Sequence, residues 1–231
     1  MTLADIVQRI RHIYQVSTPA QQDTILQNEW ALITAVVMAA LNHPEDISLV
    51  YQIVVQDIER LSLSKDMTQD LTVKVTMKLR DSILKGYVAS GFPKTINGLQ
   101  HLHKATPKSI LELLPTTPIR SETTWDQIYD RHTVRVMQSM HTMYPDLAQS
   151  AHHHLYSPLL SECAITSGRE TSLIVVAGCF VQNVPSQLRG HIYGALNNGA
   201  TKTDIERVHE TVLVLCRHYG AQLPPHINAK L

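Results

Sequence analysis

The run Asn197-Asn198-Gly199-Ala200-Thr201 separates two amphipathic stretches, and it leaves this part of the chain little choice but a pair of helices. Before it, Leu188, Ile192, Ala195 and Leu196 recur at helical spacing and share one face. After it, Ile205, Val208, Val212, Leu215, Cys216 and Tyr219 do the same. Asn-Asn-Gly supplies residues that tolerate the left-handed conformation closing a helix, and Thr201 with Asp204 three residues on makes a capping box for the next one. The pattern predicts helices over Pro185 to Asn197 and Lys202 to Tyr219, folded back as an antiparallel hairpin with a shared apolar interface.

The same reading extends along the chain. Apolar residues recur with helical rather than alternating spacing, so an all-α fold is expected, with no convincing strand. Thr18 as N-cap and Pro19 at the first helical position open a helix to about Asn42, and Pro44 restarts one to about Ser62. A long helix follows and ends before Gly91 and Pro93. Further helices fit Thr95 to Lys104, Thr123 to Met143, Asp146 to Tyr156 and Arg169 to Gln182. A proline-rich stretch at residues 105–123 is the linker candidate.

Two stretches on either side of it resemble each other. "ALITAVVMAALNHPEDISLVY" parallels "SLIVVAGCFVQNVPSQLRGHIY", both with Asn-x-Pro between an apolar helix and an amphipathic one. "LRDSILKGYVASGFPKTINGL" parallels "VHETVLVLCRHYGAQLPPHINAKL" in the same order. The chain therefore reads as one all-helical domain over 1–231 with an internal duplication of a helical unit. Residues 18–104 form a degenerate first repeat, and 124–231 form the second.

Composition removes several function classes. Twenty basic residues balance twenty acidic ones without a Lys/Arg cluster, which excludes the footprint of a nucleic-acid binder or an anionic-membrane binder. The longest apolar run, Ala31 to Leu41, is too short to span a bilayer. Cys163, Cys179 and Cys216 are odd in number and lack a Cys-x-x-Cys pair, which fits a soluble protein of a reducing compartment. "MTLADIVQRIRHIY" carries Asp5 and no cleavable apolar core, unlike a secretory signal.

His191 lies on the flank of the apolar face of its helix, and two readings stand open. It is either a core-edge histidine hydrogen-bonded to a carbonyl or hydroxyl, or a proton-transfer residue in a pocket between helices. Elsewhere, His152, His153 and His154 occupy successive positions that fan out by about 100° each on a helix, so no metal is expected there. His209 and His218 lie on the helix after the motif, and His209 is near enough to the apolar face to line the same pocket, with an interface role preferred. Met137, Met140 and Met143 read as core or oligomer packing. No phosphate-binding glycine loop, nucleophile elbow or dinucleotide fingerprint occurs, and no cofactor is expected.

The block Ser172 to Gly220, with its Leu-x-x-His-x-x-x-Ala-Leu-Asn-Asn-Gly-x-Thr order, resembles the core of the carboxymuconolactone decarboxylase family, the all-helical superfamily that includes the alkylhydroperoxidase AhpD. The resemblance implies an AhpD-like fold, a trimer or hexamer, and a pocket containing the motif histidine, which matches His191. It also exposes departures. The redox Cys-x-x-Cys of AhpD-type members falls on Val184 and Gln187, and their glutamate falls on Ser172. A thiol peroxidase of that type therefore lacks its nucleophile and its resolving thiol. Glu170 and Cys179 remain as further candidates, Glu170 two residues off register and Cys179 in a helix apolar all round. In the first repeat, Leu49 or Val50 takes the place of His191.

The last three residues, Ala229-Lys230-Leu231, resemble the Ser-Lys-Leu type of peroxisomal address and imply the peroxisomal import receptor as a partner. A cytoplasmic location follows instead if that tail is not exposed. Two functions are expected from these features. One is a carboxymuconolactone decarboxylase-like peroxisomal enzyme acting on a small organic acid, lactone or hydroperoxide with His191 as general acid or base. The other is a non-catalytic helical oligomer, a scaffold or small-molecule carrier.

Overall fold

The computed structural model describes residues 1–15, 28–115 and 132–224, and every regular element among them is helical. The elements are α1 Leu3–Gln15, α2 Glu29–Ala40, a 3-10 helix Pro44–Asp46, α3 Ile47–Glu59, α4 Lys65–Lys85, α5 Tyr87–Ser90, α6 Phe92–Ala105, α7 Lys108–Leu111, α8 Thr133–Met143, α9 Pro145–Gln149, a π-helix Ser150–Leu160, α10 Gly168–Val181, α11 Pro185–Asn197 and α12 Lys202–Tyr219. Thr18, Pro19 and the C-terminal tripeptide fall outside the described residues.

Two helices make the centre. α2 is buried along its whole length, and α10 is buried from Glu170 to Phe180. Both sequences are apolar all round, which a helix affords only where neighbours surround it. α2 and α10 pack on each other, and each also contacts both long helices, α4 and α12. α1 lies against α12 through Ile6, Val7, Ile10 and Tyr14, and α6 covers α2 and α3.

The turns after the two central helices are built alike. Asn42 and Asn183 both take positive φ, 66° and 51°. His43 and Val184 follow at φ −118°, ψ 58° and φ −110°, ψ 78°, each ahead of a proline. The amide of His43 donates to Met38 O at 2.9 Å and that of Val184 to Cys179 O at 3.3 Å, the same five-residue reach. Asn carries a left-handed conformation at lower cost than most residues because its short polar side chain bonds locally.

Several expectations need correction. The helix expected to run from Thr18 to Asn42 begins at Glu29, because Asn28 stands at φ 46° and cannot continue a right-handed helix. The linker candidate at 105–123 is described only as far as Pro115, a stretch that holds α7 and the buried Ile110 and Leu114. Past Gln149 the chain winds as a π-helix to Leu160 rather than ending an α-helix at Tyr156. α11 and α12 have the predicted bounds, yet they do not form a hairpin with a shared interface. α11 packs on α10 instead, and α12 spreads its apolar stripe over α10, α1 and α2.

Candidate functional site

His191 sits in the second turn of α11, behind Pro185 at the helix start and between Leu188 and Ile192, both buried. The residue as a whole is half-buried, while burial pushes its imidazole down to about 4. A ring that keeps some solvent contact and is still strongly desolvated lies in a crevice, not on a convex surface. Among the described residues it makes no hydrogen bond, so the carbonyl or hydroxyl partner that a core-edge histidine would have is missing there. At neutral pH it is an uncharged imidazole, able to accept a proton or a hydrogen bond but not to offer a positive charge.

The other two candidates do not join it. Glu170 closes a capping box at the start of α10: its Oε2 accepts from the Ser167 amide at 2.8 Å and from Ser167 Oγ at 2.9 Å. Its Oε1 accepts from Lys78 Nζ of α4 at 2.6 Å. Both carboxylate oxygens are engaged in tying α10 to its own first turn and to α4. The signal was in the sequence, since Ser167-Gly-Arg-Glu170 before an apolar run is the capping-box pattern. Cys179 is 4% exposed, and burial pushes its thiol up to about 12, so no thiolate is available at neutral pH. Ser172, on the register of the family's glutamate, accepts from Asn198 Nδ2 at 2.8 Å.

His209 packs its ring against Phe180 at 5.1 Å, and His218 meets Tyr219 edge-on at 4.8 Å. His152 and His153 stack edge to face in the π-helix with centroids 4.7 Å apart. Met137 and Met140 pack against the core, as expected for packing residues.

Sequence reasoning missed a buried charged cluster, because its members come from distant parts of the chain. Lys85, at the end of α4, is fully buried. Its Nζ donates to the carbonyl of Glu162, to Thr166 Oγ1 at 2.6 Å and to Thr171 Oγ1 at 3.0 Å, and lies 3.1 Å from Asp81 Oδ2. Thr166 Oγ1 in turn donates to Asp81. Every donor of the ammonium is met, which is the condition for a tolerable buried charge. A second network holds α2, α10 and α12: Arg169 meets Glu29 at 2.5 Å and Asp204 at 2.8 Å, and Arg207 lies 3.4 Å from Asp204. Burial raises the Glu29 carboxyl above its ordinary range, against the pull of Arg169.

Beside these ties, a cleft of about 340 Å³ opens between α4 and residues 164–165, walled by Leu71, Val75, Met77 and Ile165 with Lys74 and Lys78 at its polar side. His191 is not among its walls.

No family model matches the chain. It is similar to two curated proteins, each named Peroxisomal protein 2. One is from Saccharomyces cerevisiae, 28% identical over 84% of this chain and 90% of the relative. The other is from Schizosaccharomyces pombe, 29% identical over 85% of this chain and 90% of the relative. Both support the peroxisomal location expected from the C-terminal tripeptide, and among the described residues no helix is long and apolar enough to cross a membrane.

Proposed function

We propose that this peroxisomal protein is a carboxymuconolactone decarboxylase-like, AhpD-like enzyme, built by duplication of a helical unit, in which His191 moves a proton on a small organic acid, lactone or hydroperoxide. The observation that carries the reading is the imidazole itself: enclosed, still reached by solvent, and without a hydrogen-bond partner among the described residues. Such a ring costs stability, which a residue kept for packing would not do. The paired turns at Asn42 and Asn183 support the duplication.

The chemistry follows from the desolvation. A neutral imidazole with so low a pKa is a weak base until a negative charge arrives beside it. A carboxylate substrate, or an enolate forming as a proton leaves carbon, stabilises the imidazolium and raises that pKa, so binding and proton uptake are coupled. A thiol-based peroxidase cycle is not part of the proposal, because Val184 and Gln187 replace the redox pair and Cys179 is sealed.

The second reading, a non-catalytic oligomeric carrier or scaffold, is favoured by one observation: Glu170, the acidic candidate, is fully engaged as a cap and ion-pair partner and makes no hydrogen bond to His191. The test is turnover of a panel of small carbon acids, lactones and hydroperoxides by wild type, His191→Ala and His191→Gln. Loss of turnover in both variants, with helical content and native mass unchanged, supports the enzyme. Saturable binding of a panel member without turnover in any form favours the carrier. Native mass spectrometry of the same samples tests the expected trimer or hexamer.

A further inference from the structure

We propose that His43, Glu45 and Asp46 form a binding site for a divalent transition ion of the Zn²⁺ type. One ligand atom from each, an imidazole nitrogen and two carboxylate oxygens, lie within 4.8 Å of one another, with His43 Nδ1 3.4 Å from Glu45 Oε1. Zinc binds imidazole nitrogen and carboxylate oxygen at about 2.0–2.2 Å, so two donors on one ion stand at most about 4.4 Å apart. The observed spacing reaches that range with small side-chain adjustments. A nitrogen donor with two carboxylates suits zinc and its neighbours better than calcium or magnesium, which prefer oxygen throughout.

Three features separate this group from an ordinary solvated acidic turn. Its imidazole is already oriented: His43 lies flat on the ring of Tyr219, centroids 3.8 Å apart and planes 7° from parallel. Asp46 is oriented by the same residue, whose hydroxyl donates to Asp46 Oδ2 at 2.7 Å. Tyr219 comes from the far end of α12, so tertiary structure holds two of the three ligands in the manner of an outer ligand shell. Third, no lysine or arginine among the described residues pairs with either carboxylate. Two converging carboxylates with no lysine or arginine beside them repel each other, and a bound divalent cation relieves that repulsion. The turn that presents them is fixed by Asn42 at φ 66° and Pro44, and the matching turn in the second half, Asn183-Val184-Pro185, carries valine in place of the histidine.

The test is calorimetric titration of the full-length, chelator-treated protein with ZnCl₂, alongside His43→Ala, Glu45→Gln and Tyr219→Phe. His43 and Glu45 are on the surface side of the turn, so their variants are expected to fold, which circular dichroism checks. The expected result is one zinc equivalent in wild type that disappears in His43→Ala, weakens at least tenfold in Glu45→Gln and weakens less in Tyr219→Phe, where stacking survives and the Asp46 bond does not. Zinc should also raise Tm in wild type but not in His43→Ala. Equal stoichiometry and affinity in wild type and His43→Ala would place bound zinc elsewhere, at Cys163 or the histidines at 152–154, and overturn the site. So would the absence of saturable binding at millimolar zinc.

Discussion

α2 with α3, and α10 with α11, are two helical pairs joined by turns of the same backbone shape, yet they are filled differently. With Asn42 aligned on Asn183, Val50 stands where His191 does, and this alignment chooses Val50 over Leu49. Val50 is fully buried and apolar, while His191 is a desolvated imidazole with its pKa pushed down to about 4. The same alignment puts Val37 opposite Gly178, and Glu29 opposite Glu170. The two glutamates keep one job in both pairs, each accepting an ion pair from the other half of the chain: Glu29 from Arg169, Glu170 from Lys78. The comparison teaches that the fold requires burial at the 50/191 position and a carboxylate at the 29/170 position. Only the histidine is surplus to that requirement.

The comparison breaks most sharply if the histidine is moved. Val50→His puts an unpartnered imidazole at a fully closed position and should cost about 3 kcal/mol or more, read by urea denaturation. If it costs almost nothing, the first position is not closed and the contrast fails.

Next comes acidity. The imidazole of His191 titrates near 6.5 when unfolded and at about 4 in the folded protein, so the unfolded chain binds the proton first. Stability from this group is whole above about pH 6.5 and declines as pH falls towards 4, by up to about 3 kcal/mol. Denaturation of wild type and His191→Val at pH 7, 6, 5 and 4 should show the two curves diverging on acidification, with the variant the more stable. Parallel curves would mean the ring is solvated.

A smaller effect is expected at Gly178. A Cβ there would come within 2.4 Å of the Ala89 Cβ, whereas Val37 fits its own surroundings in α2. Gly178→Ala should therefore lower stability by about 1–3 kcal/mol through displacement of α5, seen as a drop in Tm. Smallest of all, Asn42→Gly and Asn183→Gly should each shift stability by less than about 1 kcal/mol, and by matching amounts, because both relieve the same positive φ. Unequal shifts would show that the turns are alike only in backbone.

The sequence made local features legible and hid those built across distance. The bounds of α11 and α12 follow from Pro185, the Gly199 stop and the Thr201–Asp204 box, all within a few residues of the helix ends. The left-handed turn residue proved to be Gly199, at φ 87°, and not the asparagines before it. The partner of those helices is not legible, because amphipathicity reveals that a stripe is buried, not against what. Glu170 is legible as a cap from Ser167 three residues before it, and that role is the one it fills. Nothing local announces Lys85, whose acceptors at 162–171 lie far along the chain, or Tyr219, which reaches back to His43 and Asp46. The Asn28 break and the π-helix are equally silent, since both concern how a chain continues rather than which residues are apolar.

Lys85 carries a consequence for how this chain could be divided. Its ammonium belongs to the first half, and apart from Asp81 every atom that solvates it belongs to the second. Arg169 of the second half depends in the same way on Glu29 of the first. Expressed separately, residues 1–115 and 132–224 would each hold an ion stripped of its surroundings, so neither should fold alone, while the two mixed should restore one another and melt as a single unit. Each half is, in effect, the solvent for the other's buried charge.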